Sequence, residues 1–154
     1  MLQSTTQRVT YNTAPEVNDE IRRRTEESIA RCATAGPDAI ARRLHELDEE
    51  WDIERYLETM APTISLIGLC LGVTVSRKWL VIPAVVQSFL LMHALQGWCP
   101  PVPVLRRLGV RTLEEIDQER FALKALRGDF RDVPVGDGRM PANAVRAFQA
   151  AAAN

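Results

Sequence analysis

Two consecutive stretches in the middle of the chain contain no charged residue. They are residues 60–76 and 79–98, and only Arg77 and Lys78 separate them. As helices at about 1.5 Å per residue they would measure about 26 and 30 Å, against about 30 Å for the hydrocarbon core of a bilayer. A connection this short forces the two helices to run antiparallel. The pattern therefore predicts an all-α protein, in which amphipathic cytoplasmic helices flank a transmembrane antiparallel helical hairpin.

The segments on either side of the hairpin are polar, and their apolar residues recur at helical spacing. Asp52 suits the N-cap of a helix that leads into the first apolar stretch, and Thr112 forms a capping box with Glu115. The predicted organisation is a flexible tail over 1–15, two amphipathic helices over 16–52, the hairpin with its GWCPP exit motif over 53–112, an amphipathic helix over 113–130, and a loop with a short C-terminal helix over 131–154.

Small residues recur along one side of the first apolar helix, and two of them form a GxxxG pattern. Such a ridge lets two helix backbones approach closely within a membrane. The ridge has two possible uses, which are packing within the hairpin and dimerisation. The predicted helix-packing residues are Ala61, Ser65, Gly68, Gly72 and Ser76 in the first helix and Ala84 and Ser88 in the second.

The apolar stretches allow a membrane interpretation and a soluble one. Both stretches are apolar on all sides, and Trp79 and Trp98 mark the two ends of the second, where aromatic belts lie in membrane proteins. On the other side of the argument, the second stretch contains Gln87, His93 and Gln96, and the first is short. A soluble helical oligomer with the hairpin at its centre is therefore the alternative.

Charge and composition narrow the cellular setting. The formal net charge is -1, and arginines are not interleaved with aromatic residues, so no nucleic-acid partner is indicated. The N-terminus lacks the apolar region of a secretory signal, and the cysteines form no CxxC pair. Arginines flank the hairpin at 55, 106, 107 and 111, which outnumber the two cations at its tip. The positive-inside rule then predicts that both termini are cytoplasmic.

The end of the second apolar stretch reads GWCPPVPVLRRLGVRT over residues 97–112. A Gly, a hydrophobic residue and Cys-Pro, followed by Leu-Gly-hydrophobic-x-Thr, resembles the closing pattern of the YgaP-like transmembrane domain family of small bacterial inner-membrane proteins. The resemblance covers about residues 53–112 and implies a hairpin in the bacterial inner membrane. Some family members carry a rhodanese domain, and no such portion is visible in this chain. The motif residues are Gly97, Trp98, Cys99, Pro100, Leu108, Gly109 and Thr112.

Cys99 is the candidate for chemistry. A thiol at a membrane surface beside Arg106 and Arg107, which are expected among lipid headgroups, can be redox-active or carry sulfur. The alternative is a compact residue at a crowded helix end. His93, with Gln87 and Gln96, is a polar residue at membrane depth and a candidate for a contact between helices. No metal-ligand cluster, phosphate loop or cofactor motif is present, so neither a metal nor a cofactor is predicted.

These patterns lead to one functional expectation and two alternatives. The expectation is a small integral inner-membrane protein that acts as an anchor, scaffold or accessory subunit through helix packing, without catalysis. Its expected partners are the lipid bilayer and either further copies of the chain or another membrane protein. The alternatives are a membrane redox or sulfur-handling protein that uses Cys99, and the soluble oligomer.

Overall fold

The computed structural model describes residues 4, 6–133 and 140–152, and all the regular secondary structure in these residues is helical. The predicted all-α class is therefore confirmed. The helices are α1 (Arg8–Tyr11), α2 (Pro15–Ala35), α3 (Pro37–Glu49), α4 (Ile53–Thr74), a 3-10 turn (Arg77–Leu80), α5 (Val81–Gln96), α6 (Val102–Arg107), α7 (Leu113–Arg127) and α8 (Met140–Ala152).

The chain divides into two compact units. The first unit combines Met1–Ile21 with Trp51–Glu114, and the second combines Arg22–Glu50 with Glu115–Asn154. The hairpin and the GWCPP motif both belong to the first unit. The charged helical segments before and after them belong to the second.

Helices α4 and α5 of the first unit form an antiparallel hairpin. Asp52 begins α4 as predicted, because its carboxylate oxygen accepts a hydrogen bond from the backbone N–H of Arg55 at 2.7 Å. Ser76 caps the 3-10 turn, which leads directly into α5. The register is fixed by the hydrogen bond from Gln87 Nε2 to Ser65 Oγ at 2.9 Å, and by the packing of Gly68 on Ile82 and Pro83 and of Gly72 on Leu80.

The outer surface of the hairpin is apolar and exposed. Two helical stretches, Pro37–Thr74 and Arg77–Gln96, contain windows long and apolar enough to cross a membrane, and only 17% and 6% of these windows are buried. In the first stretch the uncharged part lies within α4. The large exposed side chains are Met60, Ile64, Leu66, Ile67, Leu69 and Val73 on the first helix, Val75 directly after it, and Val81, Val85, Phe89, Leu91 and Leu95 on the second.

The end of the hairpin away from its tip contains the apolar core of the first unit. Val9 from α1, Ile53 and Leu57 from α4, and Val102 and Leu105 from α6 pack there around Cys99. The backbone N–H of Ile53 also donates to the carbonyl of Arg111 at 3.0 Å. The core therefore joins the start of α4 to the segment that follows α5.

Two short helices in the first unit were not predicted from the sequence. Helix α1 lies within the segment 1–15 that was predicted as a flexible tail, and Val9 in this helix is buried. The expectation of a flexible tail is corrected for this part, because an apolar residue flanked by polar ones gives no helical period to detect. Helix α6 follows Pro100 and Pro101 immediately, since proline is well tolerated at the beginning of a helix.

The second unit has its own core, formed by α2, α3 and α7. Ile40, Leu44 and Leu47 of α3 pack with Ile116 and Leu123 of α7, and Ile29 and Cys32 of α2 cover them. The amphipathic stripes of these segments thus pack on each other. Helix α7 begins directly after Thr112 and ends before Gly128, whose φ of 93° and hydrogen bond to Lys124 are typical of a helix C-terminus.

Candidate functional site

The GWCPP motif makes a sharp exit from α5. Gly97 adopts a left-handed conformation with φ of 75°, and its N–H donates to the carbonyl of His93 at 2.7 Å. The carbonyl of Cys99 then accepts from the backbone N–H of Val102 at 3.0 Å, which starts the turn into α6. Glycine is favoured at the first position because a side chain is strained at this φ. The exit directs Cys99 back towards the hairpin.

Cys99 is buried among apolar side chains. Its exposed fraction is 2%, and it belongs to the core cluster that contains Val9, Ile53, Leu57 and Val102. A thiol behaves as a small hydrophobic group in such surroundings. The sequence predicted that this thiol lies at a membrane surface beside two arginines, whereas in the structure it is enclosed by the core of the first unit.

His93 adds polar groups to this apolar environment. It is 1% exposed, and its Nε2 lies 3.0 Å from Oε2 of Glu54. The second carboxylate oxygen of Glu54 accepts a hydrogen bond from Arg8 at 2.9 Å. His93 also interacts with the side chain of Cys99. A thiol, an imidazole and a carboxylate therefore lie side by side in space, in this order, at the end of the hairpin.

The ring nitrogen Nδ1 of His93 has no hydrogen-bond partner among the described residues, although it is buried. An ionised carboxylate can only accept hydrogen bonds, so Glu54 orients the imidazole with Nε2 as the donor. Nδ1 is then the nitrogen left for the neighbouring thiol. An orphaned buried polar atom is uncommon and indicates a functional role or an interaction still to be formed.

Glu54 and Arg8 were missed as site residues when the sequence alone was considered. The hairpin register carried a signal for Glu54, because the pairs that meet across the hairpin have residue numbers that add to about 152. On this register Glu54 falls within about one and a half helical turns of His93. Arg8 had no comparable signal, since its position depends on how α1 packs.

Helix α1 covers the site. Asn12 donates from Nδ2 to the carbonyl of Gln96 at 2.7 Å and to the carbonyl of Arg8 at 2.8 Å. The backbone of Arg8 lies so close to Gly97 that a Cβ there would be 2.5 Å from the carbonyl carbon of Arg8. Gly97 is therefore required for two reasons. Its φ disfavours a side chain, and the backbone of α1 leaves no room for one.

Arg106 and Arg107 have different environments. Arg106 is 1% exposed and donates to the carbonyl of Val110 at 3.1 Å and to the Oδ1 of Asn18 at 2.8 Å. The expectation that Arg106 lies among headgroups is corrected, because these polar acceptors hold the guanidinium inside the unit. Arg107 is exposed.

The structure separates the other predicted site residues. Gln87 is exposed and bonds to Ser65 across the hairpin, the side chain of Gln96 is exposed, and of these three polar residues only His93 reaches Cys99. Ala61, Gly68 and Gly72 are buried, but Ala84 and Ser88 are exposed on α5 and Ser76 is exposed at the tip. Of the motif residues, Trp98, Pro100 and Leu108 are exposed, Gly109 has a φ of 89°, and Thr112 is buried.

The part of the chain that the structure describes contains no group of His, Cys, Asp and Glu that could hold a metal ion. Comparison of the sequence with protein-family models, with curated proteins and with solved structures gives no match.

Proposed function

We propose that the protein is a small integral protein of the bacterial inner membrane. The hairpin of α4 and α5 anchors it, and the helices of the second unit serve as a scaffold or accessory subunit through helix packing. The exposed apolar surface of the hairpin is the observation that carries this proposal. The resemblance of residues 97–112 to the YgaP-like transmembrane domain family agrees with it.

Burial distinguishes a membrane helix from the core helix of a soluble protein. A core helix is mostly buried within its own fold, but the window in α5 is only 6% buried. Among the residues that the structure describes, no layer therefore covers the large apolar side chains of this helix. Lipid supplies such a layer directly, whereas a soluble protein would need several copies to bury the same surface.

The length and ends of the hairpin suit a bilayer. Residues 60–74 of α4 extend about 22 Å and residues 79–96 about 27 Å, less than a hydrocarbon core of about 30 Å, and local thinning accommodates the difference. Trp79 lies near the tip and Trp98 at the exit. The Trp51 ring contacts the Tyr56 ring at a tilted angle and lies beneath the guanidinium of Arg55, just before the apolar part of α4. Such aromatic groups are typical of the membrane interface.

Four polar side chains within the hairpin form hydrogen bonds, as a hydrocarbon environment favours. Gln87 and Ser65 bond to each other, and Thr63 and Thr74 bond to backbone carbonyls one turn earlier in α4. An unpaired polar group in hydrocarbon costs several kcal/mol, roughly 2–7. These side chains are consequently compatible with insertion.

Alkaline carbonate extraction of membranes from expressing bacteria tests the proposal. We expect the full-length chain to stay in the membrane pellet, together with an integral membrane protein used as a control, while a peripheral control is released. The purified chain should require detergent to remain in solution. Release into the carbonate supernatant, followed by elution as a detergent-free oligomer, would instead establish the soluble helical oligomer and reject the anchor.

A further inference from the structure

The cluster of Cys99, His93 and Glu54 is not used by an anchor. We propose that Cys99 is a nucleophilic thiol which attacks the S–S bond of small disulfides, with His93 as its base, Glu54 as a positioning residue and α1 as a removable cover. The proposal goes beyond the anchoring function and does not depend on it, since all its groups lie within the first unit.

Glu54 fixes the orientation of the His93 imidazole. Glu54 holds Nε2 of His93 at 3.0 Å, so the ring is fixed and Nδ1 remains for the thiol. A base held by a third group beside a nucleophile is the arrangement that activates thiols in enzymes. In resting states the bond between nucleophile and base is often incomplete and forms only when substrate binds. The orphaned Nδ1 of His93 agrees with this behaviour.

The surroundings of Cys99 determine which kind of substrate its thiol can attack. Acyl transfer requires hydrogen-bond donors for an oxyanion. The residues after Cys99 supply none, because Pro100 and Pro101 lack an N–H and the N–H of Val102 already donates to the Cys99 carbonyl. Thiol–disulfide exchange needs no oxyanion hole, because the negative charge passes between sulfur atoms. The apolar side chains around the thiol therefore favour a small, uncharged disulfide.

The reaction is balanced without a further reagent. The Sγ–H proton of Cys99 moves to Nδ1 of His93, and the sulfur attacks one sulfur of R–S–S–R. A new Sγ–S bond forms, the old S–S bond breaks, and the departing R–S⁻ takes the proton from His93. The products are the mixed disulfide of Cys99 and one R–SH. A second thiol can reverse the modification in the same way.

Helix α1 controls access to Cys99. Val9 of α1 packs on Cys99, Asn12 of α1 ties this helix to the Gln96 carbonyl, and Arg8 binds Glu54. A helix of this length is marginal by itself, so these few contacts hold it in place. Removing one of them should open the site while leaving His93 and Glu54 intact.

The experiment uses the full chain in detergent with Cys32→Ser and Cys70→Ser, so that Cys99 is the only thiol. The probe is 4,4′-dithiodipyridine, a small uncharged disulfide whose released thione is followed by absorbance. Intact-mass analysis verifies one mixed disulfide, and adding Cys99→Ser should abolish the release. Asn12→Ala should raise the rate about tenfold by loosening α1, which corresponds to about 1.4 kcal/mol. Thr13→Ala, which removes only a bond to the Val9 carbonyl, is the matched control and should change little.

His93→Gln should slow the reaction about 100-fold in the Asn12→Ala protein, the scale on which a positioned base acts. Glu54→Gln should slow the reaction less than His93→Gln does. The pH profile provides a readout that does not depend on these variants. Transfer of the thiol proton to Nδ1 of His93 leaves Cys99 as a thiolate paired with an imidazolium, so the rate should stay nearly constant between pH 6 and 8. The rate of an ordinary thiol with a pKa of about 8.5 falls nearly tenfold for each unit by which the pH is lowered.

Three results would overturn the inference. If His93→Gln reacts as fast as its parent, or if the parent follows the pH profile of an ordinary thiol, His93 does not act on Cys99. If Asn12→Ala behaves like Thr13→Ala, α1 is not the cover. The membrane extraction described above is independent of each of these outcomes, so failure of the thiol site and failure of the anchor are distinguishable.

Discussion

At the scale of single residues, Glu119 is the clearest structural requirement of the second unit. Its side chain is 0% exposed and accepts hydrogen bonds from Ser28 at 2.7 Å and from Arg43 at 2.9 and 3.1 Å. The bidentate contact with Glu119 raises the pKa of Arg43 above its usual value. Glu119 lies between the apolar rows of α7, and its partners come from α2 and α3. The pair thus fixes how these helices meet.

Arg43→Ala should destabilise the second unit by about 3 kcal/mol, because it leaves a carboxylate buried without its cation. Arg23→Ala is the matched control, since Arg23 makes an exposed ion pair with Glu27 that is worth about 0–1 kcal/mol. Thermal unfolding of both variants in the same detergent, followed by circular dichroism, gives the comparison. Equal midpoints for the two variants would contradict a structural role for the Arg43–Glu119 pair.

At the scale of elements, the glycines of α4 define the contact with α5. A Cβ added to Gly68 would lie 2.8 Å from Cδ of Pro83 and 2.9 Å from Cβ of Ile82, which are rigid atoms. A Cβ added to Gly72 would instead meet the outer atoms of Leu80, a side chain that is 40% exposed and can rotate. The GxxxG ridge is thus occupied within the hairpin.

Gly68→Ala should therefore cost more than Gly72→Ala, about 1–3 kcal/mol for an overpacked contact. Ala84→Leu is the control, because Ala84 is exposed on the outer side of α5 and a larger side chain has room there. The thermal midpoint of each variant in detergent micelles measures the effect. A larger loss for Ala84→Leu than for Gly68→Ala would show that the outer face, and not the hairpin contact, is the critical surface.

At the scale of the whole molecule, the proposed membrane orientation places the hairpin tip outside the cytoplasm. Arg77 and Lys78 are exposed at the tip, and the flanks carry more arginines than the tip does. If the hairpin spans the inner membrane as proposed, the positive-inside rule predicts that both termini are cytoplasmic. Exposed positions at the tip and in the second unit should consequently differ in their access from outside the cell.

Single cysteines in a chain without its three native cysteines test this orientation. We expect Lys78→Cys to react with a membrane-impermeant maleimide in cells whose outer membrane has been made permeable. Glu49→Cys, which replaces an exposed residue of α3, should react only after the inner membrane is broken. The reverse pattern would invert the topology, and equal labelling of both positions in unbroken cells would argue against a membrane anchor.

The sequence by itself determined the helical class and the hairpin. Long uncharged stretches, a two-cation connection and a capping aspartate are local features, so α4, its N-cap and its antiparallel partner followed from the order of residues. The apolar faces of α3 and α7 could also be predicted from the sequence, because helical periodicity is a short-range pattern. Cys99 was recognised as a candidate, but its surroundings were expected at a headgroup surface.

Tertiary structure alone decided what surrounds Cys99. Arg8 and Glu54 are 46 residues apart in the sequence, and His93 lies 39 residues beyond Glu54, so no local pattern links them. Helix α1 is too short to show a period, and Arg106 was expected outside because one of its acceptors, Asn18, lies on a distant segment of the chain. Local patterns report which face of a helix is apolar. Which polar groups meet inside the fold depends on the packing of distant segments, and that packing turned an isolated cysteine into a thiol beside an oriented imidazole.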